Sequence, residues 1–462
     1  MNPSNEIDPT ILVIFGISGS LATKKLIPSL FQLYKKQLLP EKIVIIGLSR
    51  QKIDLNQFVN GLNLQTKDNI EAEYLNKFKT IFTFIDFEPS NVEDFHSLSN
   101  SINQINQNFQ SKNTNLLFYL SIPPNIFSTV VKNLGLSGLN KPDKGLESKI
   151  LVEKPFGYDL ISAKKLIEDT KMYFKEDQIY RIDHYLAKDT AQNILTFRRF
   201  NPLFQTAWNN QHIKKIKILA LESIGIEGRA KFYESIGALR DLIQSHLLQL
   251  MALTTMTLPK ELSNKDAIHL ARHDILSNIK SFKDYDEVSK NVIRGQYASY
   301  REEVGNPNSM TETYASITIE IENSIWKGIP ITLSTGKAMK EKRTEIVIDF
   351  SASHEEAVNQ LTFRIQPNEG IDICLTVKQP GLDRKTEVVT MDFSYKQSFD
   401  NYNIQESYEK VIIDALREDN TLFATSDEII DTWNILQPIM DYWSQSQNDL
   451  IIYANGSEEI GP

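Results

Sequence analysis

Four short and almost wholly apolar runs in the first third of the chain limit its fold more than any other feature. They are Ile11-Leu12-Val13-Ile14-Phe15, Lys42-Ile43-Val44-Ile45-Ile46-Gly47, Leu116-Leu117-Phe118-Tyr119-Leu120 and Lys149-Ile150-Leu151-Val152-Glu153. A strand with one solvated face alternates apolar and polar residues, whereas a run apolar at every position needs cover on both faces. Helical patterns lie between the runs, the first from Leu21 to Tyr34. Together these signals predict a doubly wound, Rossmann-like α/β unit with a parallel sheet. Ligands of such sheets sit at the carboxyl ends of the strands.

After about residue 180 the pattern changes. A long helix is expected from Ile236 to Met256, followed by runs of period two. These are Tyr314 to Ile321, Ile331 to Ser334, Glu345 to Phe350, Leu361 to Gln366, Ile371 to Val377 and Glu387 to Phe393. Without helices between them they predict a large, mostly antiparallel sheet. The polar stretch Tyr285 to Asn308 is read as a long loop. Two helices, Ser407 to Leu416 and Ser426 to Trp443, close the chain. The expected division is residues 1–180 as a dinucleotide-binding domain and residues 181–462 as a larger α+β domain for substrate and oligomerisation.

Composition excludes several classes. The chain has 462 residues, long enough for two or three domains, and one cysteine, Cys374. A single cysteine forms no internal disulfide and no thiolate metal cluster. It lies in the alternation Ile371-Asp372-Ile373-Cys374-Leu375 and is expected as a packed strand residue. A formal net charge of −9 argues against nucleic-acid and anionic-membrane partners, both of which need a basic surface. No signal peptide and no spanning apolar run is visible, so a cytoplasmic location is expected.

Two stretches carry the chemistry. The first apolar run leads into Gly16-Ile17-Ser18-Gly19-Ser20-Leu21-Ala22. Glycines at a strand–helix turn let a pyrophosphate approach the helix N-terminus, although such a turn can also hold no ligand. The second run ends Gly47-Leu48-Ser49-Arg50, without the acid that would accept from the ribose of NAD. Arg50 in its place favours the 2′-phosphate of NADP. The other stretch is Arg181-Ile182-Asp183-His184-Tyr185-Leu186-Ala187-Lys188-Asp189. On residue chemistry alone it is either a polar helix cap or an anion grip with a carboxylate beside it.

These stretches belong to an ordered set of motifs that resembles the glucose-6-phosphate dehydrogenase family over nearly the whole chain. The set continues with Tyr119-Leu120-Ser121-Ile122-Pro123-Pro124, Glu153-Lys154-Pro155-Phe156-Gly157 and Arg240-Asp241-Leu242-Ile243-Gln244-Ser245-His246-Leu247-Leu248-Gln249. Thr311-Glu312-Thr313-Tyr314-Ala315, Gly328-Ile329-Pro330 and Gly336-Lys337 complete it. The resemblance implies oxidation of glucose 6-phosphate to 6-phosphogluconolactone with reduction of NADP, the entry step of the oxidative pentose phosphate pathway.

It implies His246 as the general base and Asp183 as the carboxylate that orients it. It implies a substrate-phosphate site of His184, Tyr185 and Lys188, with Lys337 and Lys342 adding charge, and Glu222 and Asp241 bonding sugar hydroxyls. Lys154 would bridge cofactor and substrate from a cis Lys154–Pro155 bond. Gly16, Ser18, Gly19, Ser20, Leu21, Arg50 and Lys154 would hold NADP, with NAD as a secondary coenzyme and Lys25 in the basic stretch that follows. No metal is implied, and the family assembles as dimers or tetramers. The chain departs from the family at Ser20, Ala187, Asp189, Glu234 and Ser245, where the family usually has Asp, Gly, Glu, Asp and Asn. Two other readings stay open: a dehydrogenase of another hexose phosphate using NAD, and a non-catalytic sugar-phosphate sensor.

Overall fold

A computed structural model describes residues 7–62, 69–141, 145–352, 357–399, 406–446 and 449–460. The chain forms two compact units. The first takes residues 1–157, 161–187 and 405–426, and the second takes 158–160, 188–404 and 427–462. The return of residues 405–426 to the first unit is something a single boundary at residue 180 does not express.

In the first unit β1 (Thr10–Phe15), β2 (Ile43–Ser49), β3 (Phe82–Asp86), β4 (Thr114–Leu120), β5 (Leu146–Val152) and β6 (Ile179–Ile182) form a parallel sheet. Its order is β6-β5-β4-β1-β2-β3, and the two-residue strand Phe423–Ala424 adds antiparallel to β6. Every residue of β1 and β4 is buried, as their uniform apolarity requires. The order reverses beside β1, which opens the crevice between the carboxyl ends of β1 and β4. Below it an aromatic stack fixes the helix Val92–Phe109, with Phe87 4.8 Å from Phe95 and 5.5 Å from Phe15.

The second unit is built on a nine-stranded sheet. Its strands are β7 (Ile213–Leu221), β8 (Val292–Tyr297), β9 (Tyr314–Ile319), β10 (Ile331–Gly336), β11 (Arg343–Phe350), β12 (Gln360–Gln366), β13 (Gly370–Lys378), β14 (Thr386–Ser394) and Leu450–Tyr453. The order is β14-β13-β12-β11-β7-β10-β9-β8 followed by Leu450–Tyr453. Pairing is antiparallel apart from β7 with β10 and β8 with Leu450–Tyr453. The two are parallel because a crossover, not a hairpin, connects each pair. Cys374 lies half-buried on β13 opposite Thr390.

Two expectations are corrected here. The stretch 285–308 is not a loop, for it holds the helix Tyr285–Asn291, strand β8 and the short helix Tyr300–Val304. The helix expected from Ile236 to Met256 is broken at Gly237, whose φ of 70° is left-handed. A side chain there would run into the carboxylate of Glu312. The helical stretch proper runs from Leu239 to Thr255. Its first nine residues, Leu239–Leu247, are a wider π-helical segment.

Candidate active site

The first unit holds a cavity of about 1010 Å³ at the carboxyl ends of β1, β2 and β4. Gly16, Ser18, Gly19 and Arg50 all line it, together with Ser121 and Glu88. Gly16 has φ of 72°, and a Cβ there would stand 2.3 Å from the carbonyl oxygen of Ser121. Only glycine therefore permits this approach of the β1 and β4 loops. The turn closes with Gly19 N donating to Gly16 O at 2.9 Å, and the first helix starts at once. A cavity of this size beside a helix N-terminus, with a guanidinium on its rim, fits a dinucleotide. Ser20 and Leu21 begin the helix and do not line the cavity. Lys25 pairs with Glu406 at 3.4 Å on the surface.

Strand β5 pairs in parallel with β6, so Glu153-Lys154 and Asp183-His184 leave neighbouring strand ends. The Lys154–Pro155 bond is cis. Asp183 is buried, and its Oδ1 accepts from Tyr185 N at 2.9 Å, which bends the chain sharply after β6. Tyr185 is buried and packs its ring 5.2 Å from that of His184. Beside Lys154 stands a group that the sequence reading did not assign. Tyr119 Oη donates to Glu153 Oε1 at 2.5 Å, and Tyr408 bonds the same carboxylate. Burial holds Glu153 above the usual carboxylate range, although both phenols and the Lys154 charge pull it down. Tyr408 comes from the returning segment 405–426, and nothing in a linear motif marks it.

In the second unit the decisive element is the helical stretch Leu239–Thr255, which packs on β7, β9 and β10 and carries Asp241 and His246. Bonding from i to i+5 in its first part brings residues five apart nearly above one another, so both lie on one side. Both ends are satisfied by buried groups from elsewhere. At the N-terminus Glu312 Oε1 accepts from Leu239 N at 3.1 Å. Burial raises the Glu312 carboxyl, with the Leu239 bond acting against it. At the C-terminus Arg198 donates to Leu253 O and Met256 O at 2.8 and 2.7 Å. Trp208 and Trp326 donate to Thr254 O and Thr255 O at 2.8 and 2.7 Å. Helix ends leave carbonyls without partners, and here side-chain donors meet four of them in a row.

Lys337, at the end of β10, is 4% exposed. Its ammonium pairs closely with Glu222 Oε2, stands 3.9 Å from Asp241 Oδ2 and lies 5.1 Å above the Tyr233 ring. Glu222, Asp241 and Lys337 thus form one cluster at the ends of β7 and β10 and on the helix. His246, 2% exposed, lies one π-turn beyond Asp241. Lys188 donates to Gln366 Oε1 at 2.7 Å, and Lys342 is exposed just before β11. Glu234 is an anchor: it accepts from Tyr300 Oη at 2.7 Å and Ser309 Oγ at 2.9 Å. Asp189 opens the helix Asp189–Phe200, where an acid suits the positive end.

A dinucleotide cavity on a doubly wound sheet, joined in one chain to a group of two acids, a buried lysine and a buried histidine on a second sheet and its packed helix, defines a nicotinamide-dependent dehydrogenase. Comparison with known proteins narrows the class. Residues 13–193 match the family described as glucose-6-phosphate dehydrogenase, NAD binding domain, and residues 195–462 match its C-terminal domain. The chain is 35% identical to glucose-6-phosphate 1-dehydrogenase of Chlamydia muridarum, over 97% of this chain and 93% of the relative. It is 35% identical to the cytoplasmic glucose-6-phosphate 1-dehydrogenase 5 of Arabidopsis thaliana, over 99% and 90%. A solved glucose-6-phosphate dehydrogenase in complex with its substrate glucose 6-phosphate superposes with a TM-score of 0.91 at 32% identity. That match covers 98% of this chain and 96% of the other. The chain belongs to the glucose-6-phosphate dehydrogenase family.

Proposed function

We propose that the protein oxidises glucose 6-phosphate to 6-phosphoglucono-1,5-lactone with NADP as the coenzyme, at the entry of the oxidative pentose phosphate pathway. The observation that carries the reading is the cluster of Lys337, Glu222 and Asp241 one helical turn from His246. Two acids held by one buried cation are suited to accepting bonds from the hydroxyls of a sugar. Bound through Gly16, Ser18, Gly19, Arg50 and Lys154, with Ser20 and Leu21 opening the helix behind them, the nicotinamide coenzyme supplies the hydride acceptor. His246 takes the proton of the C1 hydroxyl as the hydride leaves C1. An imidazole suits this role because its ordinary pKa lies near neutrality. Asp183, by family resemblance, holds that imidazole and favours its charged form. His184, Tyr185 and Lys188 hold the substrate phosphate, with Lys337 and Lys342 adding charge.

NADP is preferred over NAD because Arg50, and no acid, follows β2 at the cavity rim. A homodimer is the proposed assembly. Strand β14 ends the large sheet and exposes Val388, Val389 and Met391, an apolar edge that a second copy would cover. The proposed location is the cytoplasm, as for the Arabidopsis relative named above.

The test is the initial rate of nicotinamide reduction with glucose 6-phosphate, other hexose phosphates and free glucose, each with NADP and with NAD. The reading expects glucose 6-phosphate with NADP to give the highest kcat/KM. Equal rates on free glucose would remove the phosphate site. No rate with any sugar phosphate, together with intact sugar-phosphate binding, would favour a sensor.

A further inference from the structure

A second charged side chain stands at the rim of the nucleotide cavity, just past the end of β3. Strands β2 and β3 run in parallel with Ser49 paired to Asp86, and Phe87 N donates to Ser49 O at 2.8 Å. Arg50 and Glu88 therefore leave adjacent strand ends side by side, and both line the nucleotide cavity. Glu88 is exposed but not loose. Its Oε1 accepts from Ser90 Oγ at 2.8 Å and from Ser90 N at 3.2 Å, and its own N–H donates to Asp94 Oδ2 at 2.7 Å. Asp94 is held in turn by Asn91 Nδ2 at 2.8 Å. The Ser90 bonds, and then the charge of Arg50, hold the Glu88 carboxyl below the usual carboxylate range, so it stays ionised at neutral pH. Among the described residues Arg50 has no ion-pair partner within bonding distance. An ionised acid is thus fixed at the rim where the arginine must meet an incoming phosphate.

We infer that Glu88 is the counterweight to Arg50: it opposes the 2′-phosphate of NADP and so narrows the preference over NAD. This rests on the proposed reading of Arg50 as the 2′-phosphate contact. A carboxylate near a phosphate repels it, and at an exposed rim water and salt screen most of the effect. The consequence is a modest factor on one ligand and not a switch of coenzyme. The acid absent from the end of β2 stands one strand away, in the turn that follows β3.

The test uses the full-length protein and two half-coenzymes, 2′,5′-ADP and 5′-AMP, with affinities measured by calorimetry and without turnover. Glu88→Gln keeps the acceptor for Ser90 and removes the charge. It is expected to tighten 2′,5′-ADP by about threefold to tenfold at low salt, and to leave 5′-AMP within about twofold. The gain should shrink as salt is raised. Glu88→Ala checks that the gain follows charge and not the amide. An unchanged ratio of the two affinities, or an equal shift in both, would overturn the inference. If the unaltered protein binds 5′-AMP as tightly as 2′,5′-ADP, the NADP reading fails instead, and the Glu88→Gln ratio still reports on Glu88.

Discussion

Arg50 stands exposed at the rim of the nucleotide cavity, while Lys337 is 4% exposed and already engaged by Glu222 and Asp241. The two cations belong to sites of opposite construction. The first unit shapes its cavity with backbone: Gly16 fits against the Ser121 carbonyl, and the charge is added at the edge. The second unit shapes its site with side chains from two strands and a helix that is capped at both ends. Charge at the first site can be changed without disturbing the fold. Charge at the second is tied to the fold, because partly buried carboxylates that lose their cation keep part of their desolvation cost.

The largest effect falls on the reaction itself. His246→Asn should lower kcat by about 100- to 10,000-fold, the usual worth of a positioned base, and leave the KM for glucose 6-phosphate nearly unchanged. A kcat near that of the unaltered enzyme would assign the base elsewhere. Gly16→Ala comes next. A left-handed backbone costs an L-residue roughly 1–2 kcal/mol, and the contact with Ser121 adds to it. Thermal unfolding should show a loss of about 2 kcal/mol or more, with nucleotide affinity falling in parallel. Normal stability would mean that the cradle is not set by backbone.

The comparison is sharpest between the two cations. Lys337→Met should destabilise the protein by about 1–3 kcal/mol, less than for a fully buried pair because Glu222 and Asp241 are partly exposed. It should also raise the KM for the sugar phosphate. Arg50→Ala should leave the melting temperature within the scatter of surface substitutions. Its affinity for 2′,5′-ADP should fall by about tenfold to a hundredfold, since charge-assisted bonds are worth about 1.5–3 kcal/mol. Equal stability losses in the two variants would erase the distinction.

The same contrast explains what was legible in the sequence. Strands β1, β2, β4 and β5 are visible because burial on both faces leaves each with an unbroken apolar run, from Ile11–Phe15 in β1 to Ile150–Val152 in β5. The Gly16–Gly19 turn is visible because backbone demands name the residue type. Strand β8 was hidden because Arg294 and Gln296 point inward. Arg294 donates to Met310 O and Gln296 to Ser309 O and Thr311 O, so buried polar residues mimic a loop. The break at Gly237 depends on Glu312, a residue remote in the chain. Glu222, Asp241 and Lys337 share no local pattern, and only the family motifs pointed to them. Tyr408 reaches Glu153 through a return of the chain that no periodicity reports.

The smallest expected effect concerns the departure at Ala187, where the family usually has glycine. Ala187 is buried, and it is not among the residues with positive φ. A glycine is needed where the backbone is left-handed or another backbone comes too close, and the first condition does not hold here. The methyl group therefore fits a conformation that any residue adopts. Ala187→Gly gains no freedom the folded chain can use and adds freedom to the unfolded one, at a cost of about 0.5–1 kcal/mol. Thermal unfolding should show that small loss, and the KM for glucose 6-phosphate should stay within about twofold, since Lys188 keeps its hold on Gln366. A several-fold fall in KM would show instead that the methyl group restrains the loop between Tyr185 and Lys188, and that the grip on the phosphate depends on its movement.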